Sequence, residues 1–386
     1  MTQREGPPFS RQEYLRRAQL AEEALKEAGL DALIAYSVKN QPGPVAYLGG
    51  YEPGLGLHDV AFFVVAPGSP AVHALLTNAF WDYPQKRTWV DQVIVTSDFG
   101  TALAECLPAG AHRIGIAGFR FFPTPVYQAL QTAFPKARME DATRLLMQIA
   151  KIKSTEEIAV MRQCVEITDA GGQAFLEGVR EGAAEREIQI EVESAIARAG
   201  ADGLSYSVQL YSGAQVAVGM GFSADRTLAR GEQVQVDCGA LYRGYRGDLS
   251  RVSTAGRPTP EVLAIMETTA AMYDAMLDAI RPGARVADVA QAAVAVARAQ
   301  DMESCLYSSP NHVAGFVGHG IGCWYHELPE IRPDALDILD ANMVIVLEPI
   351  LVSPGVGGAK IEDAVLVTPR RSERLSKVEI RTWQSN

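Results

Sequence analysis

The chain has 386 residues, 48% hydrophobic and 21% charged, which excludes extensive disorder and suggests two domains. Its net charge of −11 offers no electrostatic footprint for nucleic acid or an anionic membrane. Five cysteines without a CxxC pair argue against a disulfide framework or a zinc knuckle and suit a reducing cytoplasm.

The opening MTQREGPPFSRQEYLRR lacks an apolar core and is not read as a signal peptide. The most apolar run, Met343–Pro354, contains Glu348 and two prolines, so no transmembrane helix is expected. Arg11–Ala28 has apolar residues at helical spacing and ends at Gly29. LDALIAYS, DVAFFVVA, DQVIVTS and RIGIAG are short apolar runs that read as strands. Helices are predicted between them, over Thr77–Thr88 and Pro123–Ala133. This alternation argues for an α/β domain. His58, His73 and His112 lie far apart and read as surface or core residues. The Gly-rich loop Tyr51–Asp59 is a candidate to reach toward a neighbour's pocket.

Ser154 and Glu157 form a capping-box pattern, so a helix starts there and the domain boundary lies near 145–152. A helix over Glu185–Ala199 follows, then strands at Gln233–Cys238 and Asp248–Ser253. Helices over Pro260–Ile280 and Val286–Gln300 and strands at Val344–Val352 and Ile361–Thr368 complete an α+β pattern.

The chemistry-bearing residues lie in this second part. Asp237 alternates with Val234 and Val236, so it points away from the valine face. Glycines then allow a hairpin-like return that brings Asp248 beside it. Paired carboxylates repel unless one is protonated or a cation lies between them. Alone, the two also read as solvated turn acids. His319 stands between two glycines, which would let the backbone approach whatever the imidazole binds. His326 precedes Glu327, but position 330 is Glu, so this is not an HExxH site. Glu348 and Glu362 each sit in an apolar strand-like run, where an ionised carboxylate is costly unless paired or metal-bound. Four carboxylates and an imidazole suit divalent ions of the Mn, Co, Fe or Zn type.

The order Asp, Asp, His, Glu, Glu in the contexts GxxxDxSR, GHGIGxxxHExP, LEP and KIED resembles the pita-bread metallopeptidases. The N-terminal part and the segment KIKSTEEIAVMRQCVEIT resemble the aminopeptidase P, prolidase and creatinase branch. The resemblance implies an α+β pita-bread catalytic domain (149–386) preceded by a smaller α/β creatinase-like domain (1–148). It implies two divalent metal ions, manganese first and cobalt, zinc or iron as alternatives, on Asp237, Asp248, His319, Glu348 and Glu362. It also implies hydrolysis of the Xaa-Pro bond of dipeptides or short peptides by a bridging hydroxide, in a cytoplasmic homodimer. Glu348 would act as general base and His326 would steady the tetrahedral intermediate, with Tyr206 near the metals.

Three positions depart from that pattern. Met220 and Gly315 align with substrate-side histidines, and Lys360 with an arginine two residues before the last ligand. The substrate shell, comprising Tyr206, Met220, Gly315, His326 and Lys360, is therefore altered. That leaves two alternatives on the same fold. One is a creatinase-like or ectoine-hydrolase-like C–N hydrolase or a sulfonium-acid lyase. The other is a non-catalytic peptide- or protein-binding module.

Overall fold

The computed structural model describes residues 6–39, 41–54, 59–68, 71–79, 82–308, 314–381 and 383. The chain divides into two compact units, Met1–Ala150 and Lys151–Asn386.

In the first unit the elements run α1 (Arg11–Ala28), β1 (Ala32–Val38), α2 (Gly43–Gly49), β2 (Val60–Ala66), β3 (Val72–Thr77) and β4 (Gln92–Val95). They continue with α3 (Phe99–Cys106), β5 (Arg113–Ala117), α4 (Thr124–Ala133), β6 (Arg138–Asp141) and α5 (Thr143–Ala150). The helix α1 is capped as its sequence directs: the Ser10 hydroxyl accepts from the Glu13 amide, and Gly29 closes it in the left-handed conformation. The six strands form one mixed sheet in the order β4-β3-β2-β1-β5-β6. Alternate residues Ala32, Ile34 and Tyr36 of the central strand pack with Phe99, Leu103 and Leu130 from the helices on one face.

The expected helix over Thr77–Thr88 is not formed. Thr77 ends β3, whose Val72, Ala74 and Leu76 alternate as a strand requires, and residues 82–87 make only turns around Pro84. His58 lies outside the described residues, as does part of the Tyr51–Asp59 loop. His73 pairs with Glu22 at 2.8 Å and His112 is exposed, so both are structural or surface residues as read from the sequence.

The second unit begins with α6 (Thr155–Gly178) and α7 (Glu185–Arg198). The capping box is present on both sides: the Glu157 amide donates to Ser154 Oγ, and the Ser154 amide donates to Glu157 Oε2. Then come β7 (Gly203–Leu204), β8 (Gln209–Ser212), β9 (Gln233–Cys238), β10 (Ala240–Tyr242), β11 (Tyr245–Arg246) and β12 (Leu249–Thr254). A helical pair follows, α8 (Pro260–Ala279) and α9 (Val286–Ala299). Last come β13 (Gly318–Gly320), β14 (Glu327–Glu330), β15 (Val344–Leu347), β16 (Ile350–Ser353), β17 (Gly357–Lys360), β18 (Glu362–Val367) and β19 (Ser372–Arg374).

The main sheet runs β14-β13-β15-β18-β12-β9-β8, with β19 paired to β18. Val234 and Val236 of β9 pack with α6 and α7 through Ile167, Phe175 and Val192. Ile345, Leu347, Val365 and Val367 share a core with Met266, Tyr273 and Val289 of α8 and α9. The apolar run expected as one strand over Val344–Val352 is instead two, broken at Glu348–Pro349, where proline offers no N–H to a ladder. Among the described residues, no helix is long and apolar enough to cross a membrane.

A buried arginine ties this sheet together. Arg251 is fully buried and donates to Asp363 at 2.7 Å, to the carbonyls of Ser250 and Glu362 at 2.8 and 2.9 Å, and to those of Val378 and Glu379 at 2.9 Å. Removing the only carboxylate on that list would strand a buried charge. Asp363→Ala should therefore destabilise the fold by roughly 3–5 kcal/mol, read as a shifted urea midpoint at unchanged m-value.

Candidate metal centre

The antiparallel pairing of β9 and β12 places Asp237 opposite Ser250, two residues after Asp248. The link is not the simple hairpin expected, because β10 and β11 form a side sheet with β7 before the chain returns. β12 pairs with β18 so that Ser250 faces Glu362, and β15 carries the chain to Glu348 immediately after its end. His319 lies in β13, opposite Val346 of β15. One sheet thus gathers five side chains spread over 125 residues of sequence, from Asp237 to Glu362.

The glycines around His319 serve the sheet. A Cβ at Gly318 would lie 2.0 Å from the Val346 carbonyl, and one at Gly320 would lie 2.1 Å from that of Leu328. The close approach these glycines allow is to the backbone on both sides of β13.

Asp248, His319 and Glu362 present donor atoms that all lie within 4.8 Å of one another. His319 Nε2 stands 3.6 Å from Asp248 Oδ2, 3.9 Å from Glu362 Oε1 and 4.0 Å from Glu348 Oε2. Its Nδ1 meets the Gly320 carbonyl at 2.9 Å. A carbonyl only accepts, so Nδ1 carries the proton and Nε2 keeps a lone pair for the cluster. Asp248 Oδ2 and Glu362 Oε1 are buried and have no hydrogen-bond partner. Burial, then the neighbouring charge of Asp237, holds Asp248 well above the usual carboxylate range. Burial, then Asp248 and Glu348, does the same to Glu362. Two buried, mutually repelling oxygens beside an imidazole lone pair are the donor set of a divalent cation, and the residues fit such an ion.

The remaining oxygens are held by the protein itself. Tyr206 Oη lies 2.5 Å from Asp237 Oδ1 and 2.6 Å from Asp248 Oδ1. Burial, then the charges of Asp237 and Asp248, pushes the Tyr206 phenol well above its ordinary pKa, so it stays a donor. Ser250 Oγ donates to Glu362 Oε2 at 2.8 Å. Lys360 Nζ is 2.7 Å from Asp237 Oδ2, 2.7 Å from Glu348 Oε1 and 3.1 Å from Glu362 Oε2. Burial alone would lower the Lys360 pKa. The three carboxylates outweigh it and hold the amine well above its ordinary value.

His326 lies against this group, its ring stacked on His319 at a centroid distance of 3.9 Å and on Tyr325 at 4.7 Å. Tyr325 in turn meets Tyr206 edge-on at 4.8 Å. Two other expected substrate-side residues are Met220 and Gly315. Met220 is 55% exposed, near exposed Val218 and Phe222. Gly315 has φ +84°, and a Cβ there would lie 3.0 Å from Pro333 and 3.2 Å from Val294. A histidine at 315 would thus be strained and crowded on this backbone.

Besides Tyr325, the residues of the centre not identified from sequence are Lys153, Glu327 and Ser250. Lys153 pairs with Glu327 at 2.5 Å, both almost wholly buried, and Glu327 also accepts from the Trp324 amide at 3.1 Å, bracing the turn before His326. Ser250 orients Glu362. The HExP and DxSR contexts contain Glu327 and Ser250, and Lys153 lies in the KIKSTEE segment.

Residues 159–369 match the family model described as Metallopeptidase family M24, and residues 17–149 match the Creatinase/Prolidase N-terminal domain. An Xaa-Pro dipeptidase of Pyrococcus furiosus is 31% identical over 59% of this chain. The match spans 64% of that relative's length. The crystal structure of the prolidase from Pyrococcus horikoshii superposes with a TM-score of 0.83 at 24% identity, covering 95% of this chain and 99% of that one. Aminopeptidase P from E. coli, solved with the inhibitor Pro-Leu, gives 0.78 at 21% identity, covering 97% of each. The fold is thus the pita-bread α+β catalytic fold with a creatinase-type N-terminal domain.

Asp248→Ala removes one of the two oxygens that lack partners. It should sharply lower bound metal, measured by inductively coupled plasma mass spectrometry, while circular dichroism stays that of the folded protein.

Proposed function

The chain belongs to metallopeptidase family M24, and on that premise we propose that it is a divalent-metal-dependent hydrolase of the Xaa-Pro bond in dipeptides or short peptides. The observation that supports this most is the convergence of Asp248, His319 and Glu362 on one point, with Asp237 and Glu348 beside them. The metal of this reading is manganese, with cobalt, zinc or iron as substitutes, and the compartment is the cytoplasm, in keeping with five cysteines none of which forms a disulfide among the described residues. The active form is a homodimer.

When bound, a divalent cation supplies Lewis acidity and lowers the pKa of water. Glu348 is the general base in this scheme, with Oε2 turned toward His319 Nε2 and Oε1 fixed by Lys360. Tyr206 holds Asp237 and Asp248 in register through its two contacts. His326 donates to the oxygen that gains negative charge as the peptide carbon becomes tetrahedral. Its ring plane is set by stacking between His319 and Tyr325.

A second reading, hydrolysis of a small non-peptide C–N compound, draws on the substrate side. Met220 offers only a polarisable apolar surface, and Gly315 carries no side chain. A panel of Xaa-Pro dipeptides, Xaa-Pro tripeptides and small amides, with Mn²⁺ and with chelator, separates the two. Turnover of Xaa-Pro peptides that chelation abolishes is expected. Full activity in a chelated, metal-free sample would overturn the mechanism, and turnover confined to amides would favour the second reading.

His326→Ala should lower kcat by on the order of 10²–10³ while metal content is retained. A fall in metal content would make His326 part of the metal scaffold. Met220→His should raise the relative kcat/KM for Xaa-Pro peptides without changing metal content. Identical relative rates across the panel would show that position 220 does not face the substrate.

A further inference from the structure

The resemblance to family members implies two ions held by five ligands. The oxygens of this chain are not distributed that way. Both oxygens of Asp237 are engaged by protein donors, Oδ1 by the Tyr206 phenol and Oδ2 by the Lys360 ammonium. Glu348 Oε1 is held by the same ammonium, and Glu362 Oε2 is shared between it and Ser250. The oxygens without hydrogen-bond partners, Asp248 Oδ2 and Glu362 Oε1, lie on one side, around His319.

We propose that this chain binds a single divalent ion at Asp248, His319 and Glu362, and that the Lys360 ammonium takes the place of the second ion between Asp237, Glu348 and Glu362. The inference rests on the metal-hydrolase reading and changes its number of ions.

The position of the lysine follows from its backbone. The Lys360 amide donates to Gln235 Oε1 at 3.1 Å, and its carbonyl accepts from Gln235 Nε2 at 3.1 Å. On the other edge Lys360 pairs with Ile350 of β16. The main chain is pinned between two neighbours, and the side chain extends among the acids. An ammonium is a compact point charge that can stand at the centre of three carboxylates, whereas a guanidinium is a planar fork that spreads its charge outward. At 2.7, 2.7 and 3.1 Å from three carboxylate oxygens, Nζ occupies the point that a cation shared by those carboxylates would take. A second divalent ion there would have to displace it and would stand against its charge.

The test is stoichiometry, read without turnover. Apo-protein is titrated with Mn²⁺ and with Co²⁺ by isothermal calorimetry, and metal after desalting is counted by mass spectrometry. Wild type should saturate at one ion per chain. Lys360→Met, which removes the charge and keeps the length, should take up a second ion. Asp237→Asn should still bind the single ion, and Asp248→Asn should lose it. Two ions of comparable affinity in wild type would overturn the proposal. So would one ion in a folded Lys360→Met protein, or loss of the single ion in Asp237→Asn. If Lys360→Met does not fold, the wild-type count and the contrast between Asp237→Asn and Asp248→Asn decide the matter. No bound ion in wild type would instead overturn the metal-hydrolase reading itself.

Discussion

Four carboxylates buried within one sheet repel each other, and everything around them is arranged to offset that repulsion. Asp237, Asp248 and Glu362 are nearly or wholly removed from water, and Glu348 is close to it. An uncompensated charge in such a place costs several kcal/mol. The protein supplies one ammonium, one phenol and one serine hydroxyl as compensation, and leaves two oxygens and an imidazole for something else. The sheet has to be rigid for this to persist, since an acid that swung out to water would relieve the repulsion and dissolve the site. Rigidity comes from Arg251 beneath β12 and β18 and from the Lys153–Glu327 pair beneath the His326 turn, both buried ion pairs.

Much of this was legible in the sequence. The alternation of Val234, Gln235, Val236 and Asp237 fixed which face Asp237 takes, because a strand has period two and the valines needed a core. The capping box at Ser154, the left-handed Gly29 and the acids in apolar runs were equally readable, since each has a local cause. The order of acids and histidine gave the family through resemblance, which carried the ligand set further than spacing could.

What the sequence hid was decided by long-range contacts. The stretch Thr77–Thr88 has helical composition, but Thr77 belongs to a strand whose partner is β2, and only the sheet decides that. The run Val344–Val352 hides a break because Pro349, directly after Glu348, has no N–H to bond into a ladder. Lys360 read in the sequence as a substrate-side departure, a lysine where the resemblance expects an arginine. Its distances place it among the ligands, because Gln235 from a strand 125 residues earlier fixes its backbone there.

Arg251 also bears on how the chain is made. Apart from Ser250, its hydrogen-bond partners lie 111 to 128 residues further along. During vectorial synthesis the guanidinium emerges long before Glu362, Asp363, Ser376, Val378 and Glu379 exist to receive it. Its strand cannot be buried at acceptable cost until then, because a lone interior charge is opposed by solvation. The burial of Arg251 in the acid-rich sheet therefore depends on residues 362–379 being present.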